Sequence, residues 1–153
     1  CMQKERFDRF LLPKYMEANI PVFCTCRGMQ SMYVTLGGKL NQHMSHETNP
    51  SHDGGKLVHG ITFENQHIIP GFAEITQHKP GEYKINSRHH QTVNEETKPE
   101  IVTILARHST DGEIEFATTY PFYPCHMTQH HVEDTSDPAT VFLIKHLLTL
   151  NDE

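Results

Sequence analysis

The sequence has no basic run and no long apolar run, and each absence removes a class of function. Its 153 residues carry 13 Lys and Arg against 19 Asp and Glu, a net charge of −6 with histidine neutral. Without a Lys/Arg stripe, we do not expect nucleic acid as a partner. No apolar segment approaches the roughly 20 residues that cross a bilayer, and no secretory leader is recognisable, so we expect no membrane association.

Cysteine is also scarce, with four in the chain. Cys24 and Cys26 are separated by one residue, which is too tight for a zinc-binding pair, and no second cysteine pair accompanies them. So few cysteines in a domain of this size fit a reducing compartment, and we predict a cytoplasmic location.

Histidine is abundant, and the sequence contains 13 of them. Four lie in a polar, glycine-containing region without defined ligand spacing: His43, His46, His52 and His59. A histidine-rich metal binder is therefore the third and weakest interpretation, and we predict neither a metal nor a cofactor.

Length and periodicity predict a single α/β domain over residues 1–153, large enough to bury about 68–70% of its unfolded surface. A helix is predicted at 4–19, kinked or shortened by Pro13. A buried strand at 20–26 and a helix at 28–36 follow, and Gly37 and Gly38 end that helix.

The second half of the chain is richer in strands. Further predicted strands are 56–64, a short one around Ile68, 83–87, 101–107, 114–119, and a strand with its loop at 125–133. Asp137 is expected to cap a final helix whose apolar face includes Val141, Phe142, Ile144, Lys145 and Leu148. Early alternation of strand and helix favours a mainly parallel sheet with antiparallel additions.

The most informative segment joins a strand to a helix through a cysteine. Cys26 ends the predicted strand, Gly28 follows two residues later, and the next helical pattern begins at once. Such a sharp turn presents a reactive side chain at the end of a strand. The N–H groups and dipole of the following helix favour the thiolate, which is the nucleophilic form. We therefore predict that Cys26 is a nucleophile.

A nucleophilic cysteine needs a base, and the base needs a group that orients it. If the chain continues as a strand through 129–133, alternate residues share a face, so His131 and Glu133 point the same way. His130 then shares its face with Val132, which cannot orient an imidazole. Alternation selects His131 as base and Glu133 as orienting group, although two surface residues at a strand end would give the same pattern.

Five motifs follow one another along nearly the whole chain. They are Pro21 to Gln30, Leu36-Gly37-Gly38-Lys39-Leu40-Asn41-Gln42, Ile85-Asn86-Ser87-Arg88-His89-His90-Gln91, Asp111-Gly112-Glu113-Ile114-Glu115, and Gln129 to Glu133. In this order they resemble the class I glutamine amidotransferase-like family, in particular the branch of γ-glutamyl-γ-aminobutyrate hydrolases, also called peptidase C26-like. The resemblance implies a flavodoxin-like α/β fold with helices on both faces of the sheet.

The resemblance also implies a chemistry. Cys26 would attack a γ-glutamyl amide, with His131 and Glu133 completing a Cys-His-Glu triad, and water would hydrolyse the resulting thioester. The N–H of Arg27 would be one oxyanion donor. The family's substrate-side residues correspond to Gln30, Ser87 and His89, although a loop packed for structure is the alternative for 87–91. The expected partner is a small γ-glutamyl molecule.

Four departures from the family pattern accompany these matches. Cys24 stands where the family has glycine, His130 where it has an aromatic residue, and Val132 where it has proline. We expect the changes at 130 and 132 to loosen the segment that holds His131. The family also has a long N-terminal section, whose Gly-Gly loop supplies the second oxyanion N–H.

The missing section leaves alternatives open for the whole molecule. We expect the sheet to have an exposed edge, which is prone to association. A second copy or a partner chain would complete it, the sequence would be a fragment, or the chain would be a catalytically impaired remnant acting as a binding or oligomerisation module.

Overall fold

The computed structural model describes residues 2–41, 53–88, 91–132 and 137–150 as an α/β fold. The described α-helices are α1 (Met2–Glu17), α2 (Arg27–Thr35), α3 (Phe72–Ile75) and α4 (Pro138–Thr149). The described strands are β1 (Val22–Thr25), β2 (Leu40–Asn41), β3 (Asp53–Phe63), β4 (Tyr83–Arg88), β5 (Thr92–Val93), β6 (Thr103–His108), β7 (Ile114–Thr118) and β8 (Cys125–Thr128). Short 3₁₀ turns occur at Gln66–Ile68 and Glu95–Thr97.

Six strands form one sheet in the order β1-β8-β7-β6-β3-β4, and β2 pairs separately with β5. β1 and β8 are parallel, with Thr25 opposite Thr128. The other pairs of the six-stranded sheet are antiparallel. The predicted α/β class is confirmed, and antiparallel additions form more of the described sheet than expected. Because β1 and β8 run in the same direction, the residues that follow them emerge side by side.

Apolar side chains pack on both faces of the sheet, as neighbouring residues of β6 show. Ile104 contributes to the core beneath α1 and α2, whereas Leu105 contributes to the core beneath α3 and α4. The first core also contains Met29, Met32 and Tyr33 of α2, and the second contains Phe72, Ala139 and Leu143. Helices therefore cover both faces of the sheet. The buried side chains of α2 and α4 hold these two helices on either side of the β1–β8 pair.

Three predicted elements differ from the structure. α1 begins at Met2 and ends at Glu17 rather than spanning 4–19, and it includes Pro13, so the proline does not end the helix. Ile68 belongs to a 3₁₀ turn rather than a strand. β8 ends at Thr128, so strand alternation does not extend to His131. Most of the polar region that contains His43, His46 and His52, residues 42–52, lies outside the described residues.

The buried face of α4 agrees with the predicted one at Phe142, which packs against the core beneath α3 and α4, but differs at other positions. Leu143 and Leu147 are buried, whereas Val141 and Ile144 are each 36% exposed and Leu148 is 69% exposed. Apolar residues occur around most of this helix, so periodicity alone does not identify the face that packs on the sheet. The predicted cap is confirmed, since the Asp137 carboxylate accepts the N–H of Thr140 at 3.1 Å.

Gly37 and Gly38 end α2 for two different reasons. Gly37 has φ +106°, in the left-handed region that favours glycine after a helix. Gly38 is required by space, because a Cβ there would lie 2.3 Å from the ring of Tyr33. That ring is fully buried, and its hydroxyl donates to the carbonyl of Asn94 at 2.5 Å. The glycine therefore holds an aromatic anchor of α2 in place.

Substituting Gly38 by alanine is expected to lower the free energy of unfolding by about 1–3 kcal/mol, because the buried Tyr33 ring must shift. Gly28→Ala is the matched control, since a Cβ at this helical position meets its nearest neighbour at an ordinary 3.7 Å. That control is expected to stabilise the chain by about 0.5–1 kcal/mol. Urea unfolding of both variants measures the difference, and equal losses would contradict the steric explanation.

Candidate active site

Cys26 occupies the turn between β1 and α2, in an unusual backbone conformation. Its φ is 49° and its ψ is −110°, a backbone conformation that residues other than glycine adopt only at a cost in free energy. Its N–H donates to the carbonyl of Thr128 at 2.8 Å, and its carbonyl accepts the N–H of Gln30. The turn is therefore fixed to β8 on one side and to α2 on the other. The Cys26 residue is partly exposed at the N-terminus of α2.

The segment that follows β8 lies beside this turn. The side-chain amide of Gln129 donates to the carbonyl of Cys26 at 3.3 Å, and Gln129 is fully buried. His131 comes two residues later and is partly exposed. The parallel pairing of β1 with β8 thus brings the neighbourhoods of Cys26 and His131 to the same end of the sheet.

Asn86 holds the backbone of His131 from both sides. Its side-chain Nδ2 donates to the carbonyl of His131 at 2.7 Å, and its Oδ1 accepts the N–H of His131 at 2.9 Å. Asn86 is fully buried on β4. Asn86 belongs to one of the sequence motifs, but its role was not predicted, because Asn86 and His131 are 45 positions apart. Asn86 is therefore a positioning residue for His131.

In a reaction that uses His131 as its base, as the sequence motifs imply, removing this pair of hydrogen bonds is expected to affect turnover more than substrate binding. Asn86→Ala should lower kcat at least about tenfold with KM within about twofold, because the backbone of His131 loses its fixed position. Ser109→Ala is the control, since its hydroxyl donates to the carbonyl of Gly60 at 2.9 Å away from Cys26. Steady-state kinetics check the prediction, and a rise in KM alone would contradict it.

The other two described cysteines are core thiols. The sulfur atoms of Cys24 and Cys125 lie 4.0 Å apart, and both residues are buried. The hydrogen bond with Cys24, followed by burial, raises the pKa of the Cys125 thiol well above its usual value. A thiol that stays protonated is a poor nucleophile. Of the three thiols, Cys26 is therefore the one that combines exposure with a helix N-terminus.

Of the remaining predicted site residues, two belong to α2, one belongs to β4, and two lie outside the described residues. Arg27 begins α2, so its N–H belongs to the helix N-terminus beside Cys26. Gln30 is buried one turn later, and its side-chain amide donates to the carbonyl of Gln91 at 3.0 Å. Ser87 belongs to β4 and pairs with Gly54. His89 and Glu133 lie outside the described residues.

His130 is the residue whose environment differs most from expectation. It is 0% exposed, its Nδ1 is hydrogen-bonded to the hydroxyl of Thr128, and its Nε2 lies 2.9 Å from the Asp137 carboxylate. The expectation that His130 loosens the segment that holds His131 is wrong, because hydrogen bonds on both ring nitrogens anchor the His130 side chain. Burial also leaves His131 as the accessible histidine of the two.

Comparison with known proteins identifies the family of this fold. The family model of peptidase C26 matches residues 2–133. The chain belongs to the peptidase C26 family.

Relatives of this family member support the same assignment. It is 32% identical over 98 residues to protein NtpR of Enterococcus hirae, covering 61% of the chain and 40% of the relative. It is 30% identical over 117 residues to the glutamine amidotransferase-like protein YvdE of Lactococcus lactis, covering 73% of the chain and 46% of the relative. The chain thus spans less than half the length of both.

A solved structure shows the same fold. A glutamine amidotransferase from Thermotoga maritima superposes with a TM-score of 0.59 at 12% identity, covering 94% of this chain and 67% of that one. The fold of this peptidase C26 member is therefore class I glutamine amidotransferase-like, as the sequence motifs predicted.

Two further properties of the described residues bear on alternative functions. No helix among them is long and apolar enough to cross a membrane. Within the same residues, no group of three or more His, Cys, Asp or Glu side chains is arranged to hold a metal ion. Of the histidines considered for a metal site, His59 is on β3, while His43, His46 and His52 lie outside the described ranges.

Proposed function

We propose that this peptidase C26 member hydrolyses a γ-glutamyl amide through a thioester on Cys26. The observation that carries the proposal is the turn at Cys26, with φ 49° at the N-terminus of α2 and a backbone hydrogen bond to the end of β8. A nucleophile in a strained strand-to-helix turn is typical of hydrolases that form acyl intermediates. Family membership supports the same class of chemistry.

The reaction has two halves in this proposal. The Cys26 thiolate attacks the γ-carbonyl carbon, a C–S bond forms, the C–N bond breaks, and protonated His131 gives its proton to the leaving amine. Neutral His131 then takes a proton from water, which attacks the thioester and releases glutamate and the thiol. Glu133 orients the imidazole. The N–H of Arg27 donates to the oxyanion in both halves, where one such donor is worth about 2.7–4 kcal/mol.

Substrate recognition is proposed to come from one residue of α2 and two residues of the Ile85 to Gln91 motif. Gln30, Ser87 and His89 would hold the glutamyl group, and Gln30 is supported by its bridge between α2 and the carbonyl of Gln91. Reduced core cysteines at 24 and 125 are consistent with a cytoplasmic location.

Amine release from a set of related amides tests the reaction. The proposal expects the chain to hydrolyse γ-glutamyl anilide and γ-glutamyl alkylamides, and to leave α-glutamyl and β-aspartyl analogues untouched. Liquid chromatography of the released amine measures each rate. Equal hydrolysis of the α- and γ-isomers, or none of either by folded protein, would contradict the proposal.

A second candidate function is an interaction module, and the position of β1 favours it. β1 is one of the two edge strands of the described six-stranded sheet. The N–H groups of Val22 and Cys26 point to β8, so by alternation those of Phe23 and Thr25 face away from it. We propose that a strand of a second copy or of a partner chain pairs with this edge and completes the sheet.

Sedimentation equilibrium distinguishes the two candidate functions. The interaction proposal expects the purified chain to form dimers at micromolar concentration or to bind a partner chain. A monomer at all concentrations, with full amidase activity, would rule it out and leave the enzyme proposal intact.

A further inference from the structure

A buried network links the end of β8 to the start of α4. Asp137 accepts hydrogen bonds at Oδ1 from His130 Nε2 at 2.9 Å and at Oδ2 from the Tyr83 hydroxyl at 2.5 Å. The N–H of Thr140 donates to Oδ2 at 3.1 Å, and the Tyr83 hydroxyl accepts the N–H of Ala139. One carboxylate thus joins β4, β8 and α4.

The connectivity of this network is that of a hydrolase triad, but its burial excludes that role. The hydroxyl of Thr128, the imidazole of His130 and the carboxylate of Asp137 follow one another, as nucleophile, base and orienting acid do. Thr128 and His130 are both 0% exposed, and the ring of His130 packs 5.2 Å from that of Phe116. No substrate reaches this hydroxyl, so the network has a structural use.

The charge state of the network is set by its own hydrogen bonds. Burial by itself raises the pKa of Asp137, but the hydrogen bond and electrostatic interaction with His130, followed by the hydrogen bonds from Tyr83 and Thr140, outweigh burial and lower it. Burial, followed by the charge of Asp137, raises the pKa of Tyr83, so its hydroxyl remains a donor. Asp137 is therefore an ionised acceptor at neutral pH, and His130 Nε2 carries a hydrogen.

We propose that His130, held by Asp137 and Thr128, is a positioning residue that fixes the backbone of the adjacent His131 for catalysis. The His130 side chain anchors the peptide on one side of His131 in the core, while Asn86 holds the N–H and carbonyl of His131 itself. The effect on turnover rests on the proposed function of His131. The effect on the position of His131 does not, and it is measured separately.

Hydrogen exchange of the His131 amide tests the position without any substrate. His130→Leu removes both ring hydrogen bonds, and the His131 N–H, which Asn86 accepts, should exchange at least about tenfold faster. His130→Gln keeps a side-chain donor for Asp137 and should restore slow exchange. Asp137→Asn keeps the helix cap but removes the charge, and should also speed exchange. An unchanged rate in both His130→Leu and Asp137→Asn would overturn the proposal.

Kinetics on γ-glutamyl anilide test the consequence for catalysis. His130→Leu should lower kcat at least about tenfold with little change in KM, and His130→Gln should recover most of it. Val102→Ala, in the other core, is the control for a general loss of stability. Faster exchange with unchanged kcat would overturn the catalytic role. Slow exchange in an inactive parent chain, lost in His130→Leu, would refute the proposed function while supporting the positioning of His131.

Discussion

Cys26→Ala is expected to reduce amine release from γ-glutamyl amides at least about a thousandfold, the largest effect of any single substitution in the chain. In the proposed reaction the Cys26 thiolate is the group that bonds to substrate, and alanine offers no replacement. The backbone at this residue is fixed by the Thr128 carbonyl and the N–H of Gln30, so the turn should persist in the variant. Initial rates and urea unfolding of the same preparation separate chemistry from folding.

Two further variants sharpen this result. Cys26→Gly should be as inactive as Cys26→Ala yet about 1 kcal/mol more stable than the parent, because glycine adopts φ 49° without strain. Cys24→Ala removes a buried thiol of the same chemistry and should leave activity unchanged. Comparable activity in the parent and in Cys26→Ala would show that Cys26 is not the nucleophile.

Acid is expected to destabilise the fold through His126, which is fully buried between β7 and α4. Its Nδ1 lies 2.8 Å from the Thr118 hydroxyl, and its Nε2 lies 2.9 Å from Nδ1 of His146. Burial, followed by the proximity of His146, lowers the pKa of His126 from 6.5 to about 3. The folded state therefore keeps this imidazole neutral, whereas the unfolded chain takes up a proton below pH 6.5.

The sign of the effect follows from this difference in proton binding. Above pH 6.5 His126 is neutral in both the folded and the unfolded state, so it does not affect the free energy of unfolding. Between pH 6.5 and 3 only the unfolded state binds a proton at His126, so the free energy of unfolding falls as pH falls. The loss at pH 4 relative to pH 7 is about 3 kcal/mol from this one group. The loss grows further below pH 4 and levels off below about pH 3, where the folded state also binds the proton.

Urea unfolding at pH 7 and pH 4 measures the contribution of His126. His126→Gln should be less stable than the parent at pH 7, because its hydrogen bonds are altered, but its loss on acidification should be smaller by about 3 kcal/mol. His67→Gln is the control, since it removes one exposed histidine. An identical pH dependence in the parent and His126→Gln would contradict the role of His126.

Local signals predicted the parts of the fold that depend on neighbouring residues. Gly37 at positive φ ends α2, and Asp137 caps α4. The cysteine turn was also predictable, because a strand, a small residue and a helix occur in immediate succession. Each of these features depends on backbone preferences over a few residues.

Features that depend on distant contacts were not predictable from the chain. Asn86 binds His131 across 45 positions, and no periodicity marks that pair. His130 was expected to loosen its segment because it stands where the family has an aromatic residue, and its hydrogen bond to the Asp137 carboxylate was not foreseen. The end of β8 at Thr128 removed the alternation on which the choice of His131 rested, although burial of His130 leads to the same choice for another reason.

The most direct test of the account is chemical capture of the nucleophile. A glutamine analogue with a chloromethyl ketone in place of its γ-amide should alkylate the folded chain once, at Cys26, and peptide mass spectrometry locates the adduct. An excess of γ-glutamyl amide should slow the labelling, and His131→Asn should slow it at neutral pH. Labelling of Cys24 or Cys125 instead, or no labelling of Cys26 in folded protein, would contradict a γ-glutamyl site built on this turn.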